Sequence, residues 1–390
     1  MNYRISHPTK VVNCEIDLPS SKSISNRLLI IQALCKESFN IENLSDSDDT
    51  RHLQKALLSK ENTIDVGPAG TSFRFLTSYL SIQNGKEFIL SGSDRMKKRP
   101  IKELVKVLRK IGAEITYLDK EGYPPLKIIG TKFEGGKIEI NGDVSSQFIS
   151  SILLIAPTLR NGIELKIKGT IVSKSYIEMT LSLMNKFGIE SSWEDNIIRI
   201  QTQNYIAKNF QVAADWSAAT FWFEIASLSK ICNIKLNGLQ QNSIQGDKKS
   251  IEIFNNLGVD STFENGKIIL TKNKSITPEK SYDLLDTPDV YQPLKCTLFG
   301  LNITSEFSGL STLKGKETNR IISVKTELKK LNSSKIIDTY KDHRMAMGFA
   351  PLCLRFGELQ INDVEVVSKS YPNFWEDLKK SGFTISVLAD

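Results

Sequence analysis

The sequence predicts an α/β protein built from two similar domains, each containing three copies of a repeated helix–strand segment. Two patterns carry this prediction. Six segments share the same order of a basic loop, a helix-period stretch, Gly or Asn, and an alternating strand. The pentapeptide VSKSY occurs twice, with Ser173 and Ser368 half the chain length apart. The 390 residues suit two domains of ordinary size.

The six repeats lie at residues 48–66, 97–118, 173–193, 246–263, 314–336 and 368–387. The first copy is the weakest. The clearest copy, KKRPIKELVKVLRKIGAEITYL, has apolar residues at i, i+3, i+4 and i+7 counted from Leu104, which is the spacing of one helix face. The residues predicted to end helices in the left-handed conformation are Gly112, Gly188, Gly258 and Gly382.

Basic residues recur at or near the predicted helix starts, one group for each repeat: Arg51, Lys97 to Arg99, Lys174, Lys248, Lys316 with Arg320, and Lys369. A helix N-terminus carries partial positive charge and free N–H groups, so Lys and Ser added there favour an anion. For any single repeat, ordinary helix capping by Ser and a surface lysine are a sufficient explanation. The recurrence favours a shared anion site, which two facing halves would enclose.

The composition is that of a globular protein, with 40% hydrophobic and 24% charged residues and a net charge of +7. The N-terminus lacks the apolar core of a signal peptide, and no apolar run is long enough to span a bilayer, so a cytoplasmic protein is expected. Five cysteines and three scattered histidines lack the spacing of metal ligands. We therefore expect reduced thiols and no metal site.

Polar motifs in the first half of the sequence precede predicted apolar helices. PSSKSISNR places Lys22, Ser23 and Arg27 at a helix start, and Ser23 and Arg27 share a face because they are one turn apart. Gly70 and Thr71 would let backbone N–H groups approach a phosphate, although the same pattern is equally typical of a tight turn. GDVSSQF offers three consecutive hydrogen-bonding side chains, more than a helix cap requires.

The second half of the sequence adds charged motifs. KGKETNR clusters Lys316, Glu317 and Arg320, and YKDHRMAM places Asp342, His343 and Arg344 before an apolar helix. LLDTPDVYQP offers Asp289 directly after a proline, at a predicted sheet end or loop.

Nine motifs, taken in order, resemble the pattern of the 5-enolpyruvylshikimate-3-phosphate synthase family: LPSSKSISNR, AGTSFRFL, RMKKRPI, GDVSSQF, VSKSYI, DTPD, KGKETNR, DHRMAM and SKSYPNFW. The resemblance runs from about residue 18 to residue 374. It implies two similar domains, each of three βαβαββ units, which is the inside-out α/β barrel of the enolpyruvyl transferase fold. It implies chain crossings near residues 19–20 and 214–216. Residues 20–215 would form a first domain that mainly binds shikimate 3-phosphate. Residues 1–19 with 216–390 would form a second, with the catalytic Asp and part of the phosphoenolpyruvate site.

The resemblance also implies a reaction. The enolpyruvyl group of phosphoenolpyruvate would move to the 5-hydroxyl of shikimate 3-phosphate, and phosphate would leave, on the route to chorismate and the aromatic amino acids. Both substrates are small molecules, and no metal or organic cofactor is implied. A monomer without nucleic-acid or membrane partners is expected.

Site residues are carried over from the matching motifs. Contacts to shikimate 3-phosphate would fall on Lys22, Ser23, Arg27, Ser145, Ser146, Gln147, Ser173, Tyr176, Asp289, Thr312 and Lys316. Contacts to phosphoenolpyruvate would fall on Lys22, Gly70, Arg99, Gln147, Arg320, Arg344 and Lys369. The catalytic residues would be Asp289, Glu317, Lys22 and Lys316. Asp289 would take the hydroxyl proton, while Lys22, or Glu317 beside Lys316, would protonate the methylene carbon.

Some positions depart from the family pattern. Pro68 stands where Asn is usual, and because Pro has neither an N–H nor a polar side chain, a contact made there is lost or moved. Thr312 stands where Asn is common, and Val290 and Tyr291 are bulkier than the usual pair. Gly70 keeps the small residue associated in the family with glyphosate sensitivity, so we expect inhibition by glyphosate that competes with phosphoenolpyruvate.

Two other functions are alternatives to this prediction. The related UDP-N-acetylglucosamine enolpyruvyl transferases have a Lys-Asn pair near the N-terminus and a loop cysteine, whereas here Ser23 follows Lys22 and no cysteine lies in a comparable loop. A basic, non-catalytic nucleic-acid-binding or membrane-binding protein would cluster Lys and Arg with exposed aromatic residues. Many of the basic residues fall singly beside Ser, Asp and Glu instead. An inactive family member is a further alternative, although the catalytic residue types are retained.

Overall fold

The computed structural model describes residues 1–388. It divides into two compact units, and the chain passes between them twice. The terminal unit contains Met1–Ser21 and the chain from Ala213 onward, and the central unit contains Lys22–Val212.

The strands are short, as expected for a chain with frequent turns. In chain order they are β1 Asn2–Ser6, β2 Val11–Asp17, β3 Ile41–Glu42, β4 Thr63–Asp65, β5 Glu87–Ser91, β6 Glu114–Tyr117, β7 Leu126–Ile129, β8 Gly136–Asn141, β9 Ile163–Lys168, β10 Ser192–Glu194, β11 Ile197–Ile200, β12 Phe210–Gln211, β13 Ile231–Asn237, β14 Leu257–Glu264, β15 Lys267–Ile276, β16 Ser281–Asp283, β17 Glu306–Ser308, β18 Ile336–Ile337, β19 Leu359–Ile361 and β20 Thr384–Leu388.

The helices alternate with these strands. They are α1 Lys22–Leu34, α2 Asp48–Leu58, α3 Gly70–Ser81, α4 Asp94–Lys97, α5 Lys102–Lys110, α6 Ser146–Ile155, α7 Lys174–Lys186, α8 Trp216–Leu228, α9 Ser250–Asn255, α10 Tyr291–Gly300, α11 Arg320–Lys330, α12 His343–Phe349, α13 Cys353–Phe356 and α14 Phe374–Lys380. Short 3₁₀ helices cover Ala156–Thr158, Gly246–Lys249, Pro288–Val290, Ser311–Gly315, Ala350–Leu352 and Val364–Lys369.

One pattern of strand pairing recurs in the larger sheets of the described chain: a parallel pair extended by two antiparallel strands. The orders are β4-β5-β7-β6 and β8-β9-β11-β10 in the central unit, and β2-β13-β15-β14 and β18-β19-β1-β20 in the terminal unit. A third sheet in each unit keeps only the parallel pair, β3 with β12 or β16 with β17. The predicted α/β class is confirmed, and within residues 1–388 each unit has three sheets, one of them reduced to its parallel pair.

Helix α5 illustrates how a repeat folds. Leu104 and the apolar residues one turn further on are buried, and the helix ends at Lys110 with Ile111 as its C-cap. Gly112 follows with a φ of 113°, which a residue with a Cβ rarely adopts, and β6 begins two residues later. Gly258 differs from this prediction. It lies two residues after the cap Asn256, where the pairing of β14 with β15 shifts register.

Several of the predicted basic helix starts are observed. Lys174 begins α7, Arg320 begins α11, and Arg51 is the fourth residue of α2. Lys369 instead ends the 3₁₀ helix Val364–Lys369, ahead of α14. The reason is Pro372, because the residue before a proline is disfavoured in the helical conformation, and α14 begins only at Phe374.

The apolar core of the terminal unit surrounds α8. This helix is buried on all sides, with Trp216 and Trp222 fully enclosed, and it packs against α10 and α12. No helix within residues 1–388 is long and apolar enough to cross a membrane. No group of three or more His, Cys, Asp and Glu side chains in the same range is arranged to hold a metal ion.

Glu224, in the middle of α8, predicts a pH-dependent stability. Neither of its oxygens has a hydrogen-bond partner within residues 1–388. Burial raises the pKa of its carboxyl well above the ordinary value, so the folded chain keeps the proton where the unfolded chain loses it. As the pH rises between these two pKa values, the free energy of unfolding falls by about 1.4 kcal/mol per pH unit.

Replacing Glu224 by Gln removes this titration. We expect the variant to gain stability relative to wild type as the pH rises from about 5 to about 8, measured by urea unfolding at each pH. Glu61→Gln, at an exposed carboxylate, is the control. Its difference from wild type in the free energy of unfolding should not change over this pH range. If the stability difference between Glu224→Gln and wild type is also independent of pH, the assignment of a buried, protonated carboxyl group is contradicted.

Candidate functional site

Lys22 is the first residue of the central unit and of α1. Its Nζ lies 3.1 Å from Oδ2 of Asp49, whose side chain is only 4% exposed. Asp49 stands in the first turn of α2, where the helix dipole favours a carboxylate. A buried negative charge therefore balances the predicted substrate-binding lysine. Asp49 was not among the predicted site residues, although the acidic run DSDDT at a helix start was a usable signal.

Arg27 is buried and joins three helices of the central unit. Its Nε donates to Oγ1 of Thr180 at 2.7 Å, and its Nη2 donates to Oγ of Ser150 at 3.2 Å and to the carbonyl of Tyr176 at 3.1 Å. Its Nη1 donates to the Ser23 carbonyl at 2.8 Å. Burial lowers the pKa of the guanidinium to about 10, with Tyr176 opposing that change. These contacts hold the backbone at Ser23 and Tyr176 in place.

The motifs GDVSSQF and AGTSF meet through Gln147. Ser145 caps α6 by accepting the Gln147 backbone N–H at 3.3 Å. The Gln147 side chain then donates through Nε2 to Oγ1 of Thr71 on α3 at 3.0 Å. Ser146, the first residue of α6, is buried. The structure thus brings together the N-termini of two helices, each of which offers free N–H groups.

Two arginines lie against Gly70 at the start of α3. Arg74 donates through Nη1 to the Gly70 carbonyl at 2.9 Å. A Cβ added to Gly70 would collide with the guanidinium of Arg99 and approach Nη1 of Arg74 to 2.9 Å. Arg99 is 8% exposed, and its Nε has no hydrogen-bond acceptor within residues 1–388. Buried cations beside a helix N-terminus suit an anion. Arg74 was missed by the sequence reasoning.

The two VSKSY copies fold differently. Ser173 is the N-cap of α7 with a left-handed φ of 55°, and its carbonyl accepts the Tyr176 N–H at 3.1 Å. In the second copy, Ser368 and Lys369 lie in a 3₁₀ helix. Nζ of Lys369 lies 2.7 Å from Oε1 of Glu317. One copy therefore presents a strained serine at a helix start, and the other presents a lysine paired with a carboxylate.

Asp289 is surrounded by cations of the terminal unit. Its Oδ1 lies 3.0 Å from Nη1 of Arg320 and 3.9 Å from Nζ of Lys316, and its Oδ2 lies 3.2 Å from Nη2 of Arg344. Nη1 of Arg344 also donates to the Asp289 carbonyl at 2.9 Å. The carboxylate is 17% exposed, so a ligand can reach it.

Arg320 connects this carboxylate to two others. Its Nε lies 2.8 Å from the fully buried Asp342, and its Nη2 lies 2.9 Å from Glu317. Burial lowers the pKa of the Arg320 guanidinium, but the charges of Asp342, Glu317 and Asp289 outweigh it and raise the pKa above its ordinary value. Arg320 therefore stays charged and holds the three acidic side chains in place.

Two further polar side chains of the terminal unit have buried oxygens. The Thr312 hydroxyl is buried and makes no hydrogen bond within residues 1–388. Asp247 was missed. Burial, together with the negative charge of Asp289, raises its pKa to about 7, against the opposing charge of Arg344. The motif QGDKKS was a signal, but only its lysine was considered.

Comparisons with known proteins indicate the same family as the sequence motifs. A family model described as EPSP synthase (3-phosphoshikimate 1-carboxyvinyltransferase) matches residues 6–59 and 53–378. A curated relative named 3-phosphoshikimate 1-carboxyvinyltransferase, from Bacteroides fragilis strain YCH46, is 44% identical and covers 99% of both chains. A relative of the same name from Vibrio campbellii is 33% identical, covering 95% of this chain and 97% of its own.

A solved structure shares the fold. EPSP synthase from Acinetobacter baumannii superposes with a TM-score of 0.79 at 21% identity, covering 99% of this chain and 100% of that chain. This likeness confirms the predicted two-domain enolpyruvyl transferase fold.

Proposed function

Because this chain belongs to the EPSP synthase family, we propose that it transfers the enolpyruvyl group of phosphoenolpyruvate to the 5-hydroxyl of shikimate 3-phosphate. Inorganic phosphate is released. The observation that carries the proposal within this chain is the Asp289 carboxylate, held among Lys316, Arg320 and Arg344. A partly exposed carboxylate with fixed cationic neighbours is suited to take a proton from a bound hydroxyl beside an anionic substrate.

Phosphoenolpyruvate carries a phosphate and a carboxylate, so it needs several cations. We assign this role to the residues that the family motifs indicate, which are Lys22, Gly70, Arg99, Gln147, Arg320, Arg344 and Lys369. Arg344 is paired with Asp289, and Lys369 with Glu317. An arriving anion competes for these cations, and that competition would release Asp289 and Glu317 for proton transfer.

Shikimate 3-phosphate also carries two anionic groups and adds hydroxyl groups, which suits serines and amides as well as cations. We assign its binding to Lys22, Ser23, Arg27, Ser145, Ser146, Gln147, Ser173, Tyr176, Asp289, Thr312 and Lys316. The contribution of Arg27 is chiefly to hold the backbone at Ser23 and Tyr176, since its guanidinium donates to protein acceptors.

The chemistry is an addition followed by an elimination. Asp289 takes the 5-hydroxyl proton while the oxygen bonds to C2 of phosphoenolpyruvate, and C3 gains a proton from Lys22, or from Glu317 beside Lys316. The resulting tetrahedral adduct then loses a proton from C3 and expels phosphate, which restores the double bond. Lys and Arg donors stabilise the departing charge. This scheme uses side chains alone, without a metal or an organic cofactor.

The setting of the reaction is part of the same proposal. The enzyme works in the cytoplasm as a monomer on small-molecule substrates, without nucleic acid. Sensitivity to glyphosate stays a prediction of the family resemblance.

Phosphate release by the purified protein tests the proposal. The substrates are supplied together and each alone, with UDP-N-acetylglucosamine as the alternative acceptor. Release only with shikimate 3-phosphate and phosphoenolpyruvate together supports the transfer reaction. Release with the UDP-sugar instead, or none from folded protein, would overturn the assigned acceptor.

Replacing Gly70 by Ala is expected to raise the KM for phosphoenolpyruvate by about 10- to 100-fold, since small displacements of positioning groups have effects of this size. The added Cβ would displace the Arg99 guanidinium from its place against α3. Steady-state phosphate release checks the value. The KM for shikimate 3-phosphate is the internal control and should change little. An equal rise in both KM values would argue against a specific role of Arg99.

A further inference from the structure

A buried carboxylate near the C-terminal end of α11 lies outside the residues assigned above. Glu327 is fully buried. It accepts the Tyr340 hydroxyl at 2.6 Å and the Asp338 backbone N–H at 3.1 Å. Each of its oxygens also lies 3.0 Å from Nζ of Lys330. These contacts satisfy a group that would otherwise be costly to bury, and they fasten residues 338–340 to the helix.

Helix α11 therefore holds the segment 338–342 at two points. Arg320, its first residue, binds the side chain of Asp342 at 2.8 Å. Glu327 stands seven residues later, close to two helical turns, so it projects from nearly the same face. A third contact holds the N-terminal end of the segment, where the Asn362 side chain donates to the Asp338 carboxylate at 2.8 Å. The segment is thus fixed along one side of the helix.

The backbone of this segment is strained between the two points. Tyr340 and Lys341 have φ values of 54° and 58°, in the left-handed region that residues with a Cβ rarely adopt. Such a conformation persists only where surrounding contacts impose it. The Tyr340 hydroxyl bond to Glu327 restrains the first residue. The second residue, Lys341, is restrained by Asp363, since its Nζ lies 2.6 Å from Oδ1 of that residue.

The strained turn leads directly to the Asp289 cluster. Asp342 follows it as the N-cap of α12 and accepts the Arg344 backbone N–H at 3.0 Å. The Arg344 side chain then contacts the Asp289 carboxylate at 3.2 Å. A change in the turn would shift Asp342, and with it the start of α12 that carries Arg344.

We propose that Glu327 is a positioning residue for the reaction, acting through Tyr340. It holds the left-handed turn that places Asp342 against Arg320 and Arg344 against Asp289. The kinetic part of this inference rests on the proposed function, since it assigns phosphoenolpyruvate binding to Arg344.

Two variants test the inference. Tyr340→Phe removes only the hydroxyl, and Glu327→Gln keeps the size of the side chain but not its charge. Both should raise the KM for phosphoenolpyruvate by about tenfold, because a displaced binding group costs rate and affinity, while the KM for shikimate 3-phosphate stays within about twofold. Amide hydrogen exchange in peptides spanning residues 338–346 should also become faster than in wild type.

Tyr205→Phe is the matched control. Tyr205 is a buried tyrosine whose hydroxyl donates to the Leu154 carbonyl at 2.8 Å. Its loss should lower thermal stability without changing either KM or the exchange of residues 338–346. A purely structural role of Glu327 would make Tyr340→Phe behave in the same way, and that result would overturn the proposal.

The exchange measurement separates this proposal from the proposed function. If wild-type protein releases no phosphate, the enzymatic assignment fails, and hydrogen exchange alone decides whether Glu327 holds the turn. Unchanged exchange in both variants would overturn the positioning role whatever the activity.

Discussion

Asp289→Ala is expected to lower kcat by about 10² to 10⁴, the range that follows from loss of a positioned general base. The Asp289 carboxylate is 17% exposed, and Arg320 and Arg344 hold it at 3.0 and 3.2 Å. The substitution removes a negative charge that competes with anionic substrates for these cations. The KM for phosphoenolpyruvate should therefore not rise, and the loss falls mainly on kcat, as measured by steady-state phosphate release.

Two further variants make this test specific. Asp289→Asn keeps the side-chain size without the basicity and should match Asp289→Ala. Asp283→Asn alters an exposed carboxylate whose Oδ1 accepts the Leu285 N–H at 3.1 Å, and kcat should stay within about twofold. Near-wild-type turnover in Asp289→Asn would contradict the general-base assignment.

Arg320→Gln is expected to lower the free energy of unfolding by about 3 to 5 kcal/mol, the cost of removing one partner from a buried ion pair. Arg320 is 2% exposed and neutralises Asp342, Glu317 and Asp289. Asp342 has no exposed surface, so its charge would remain buried with less compensation. Urea unfolding at neutral pH measures the difference.

An exposed ion pair provides the comparison. Arg160 lies 3.3 Å from Glu134, with side chains 76% and 65% exposed. Because solvent screens such a pair, Arg160→Gln should cost only about 0 to 1 kcal/mol. Equal small losses in the two variants would show that the Arg320 network contributes little to stability.

Much of the fold was predictable because it depends on local periodicity. The helix face starting at Leu104 and the left-handed Gly112 are encoded within a dozen residues, and the structure has both. The position of Lys369 was missed although its signal is also local. Pro372 delays the helix, and the repeat pattern masked that effect. The reduction of one sheet in each unit to a parallel pair depends on strand pairing, which residue spacing does not specify.

The candidate site was predictable as a set of residues but not as a set of contacts. The motif LPSSKSISNR identified Arg27, yet Thr180 and Ser150, its acceptors, lie far along the chain on other helices. Spacing reveals which residues share a helix face and carries no information on which helices pack together. The motifs DSDDT and QGDKKS show acidic residues, but only the packing shows that Asp49 pairs with Lys22 and that Asp247 lies near Asp289.

The identity of the product tests the central claim most directly. Purified protein is given shikimate 3-phosphate and phosphoenolpyruvate labelled with ¹³C at C2, and the products are followed by carbon NMR and mass spectrometry. The account predicts that the label appears in an enol ether at the 5-oxygen of shikimate 3-phosphate, with one phosphate released for each ether formed. Label that appears only in pyruvate, or that stays in phosphoenolpyruvate, would contradict it.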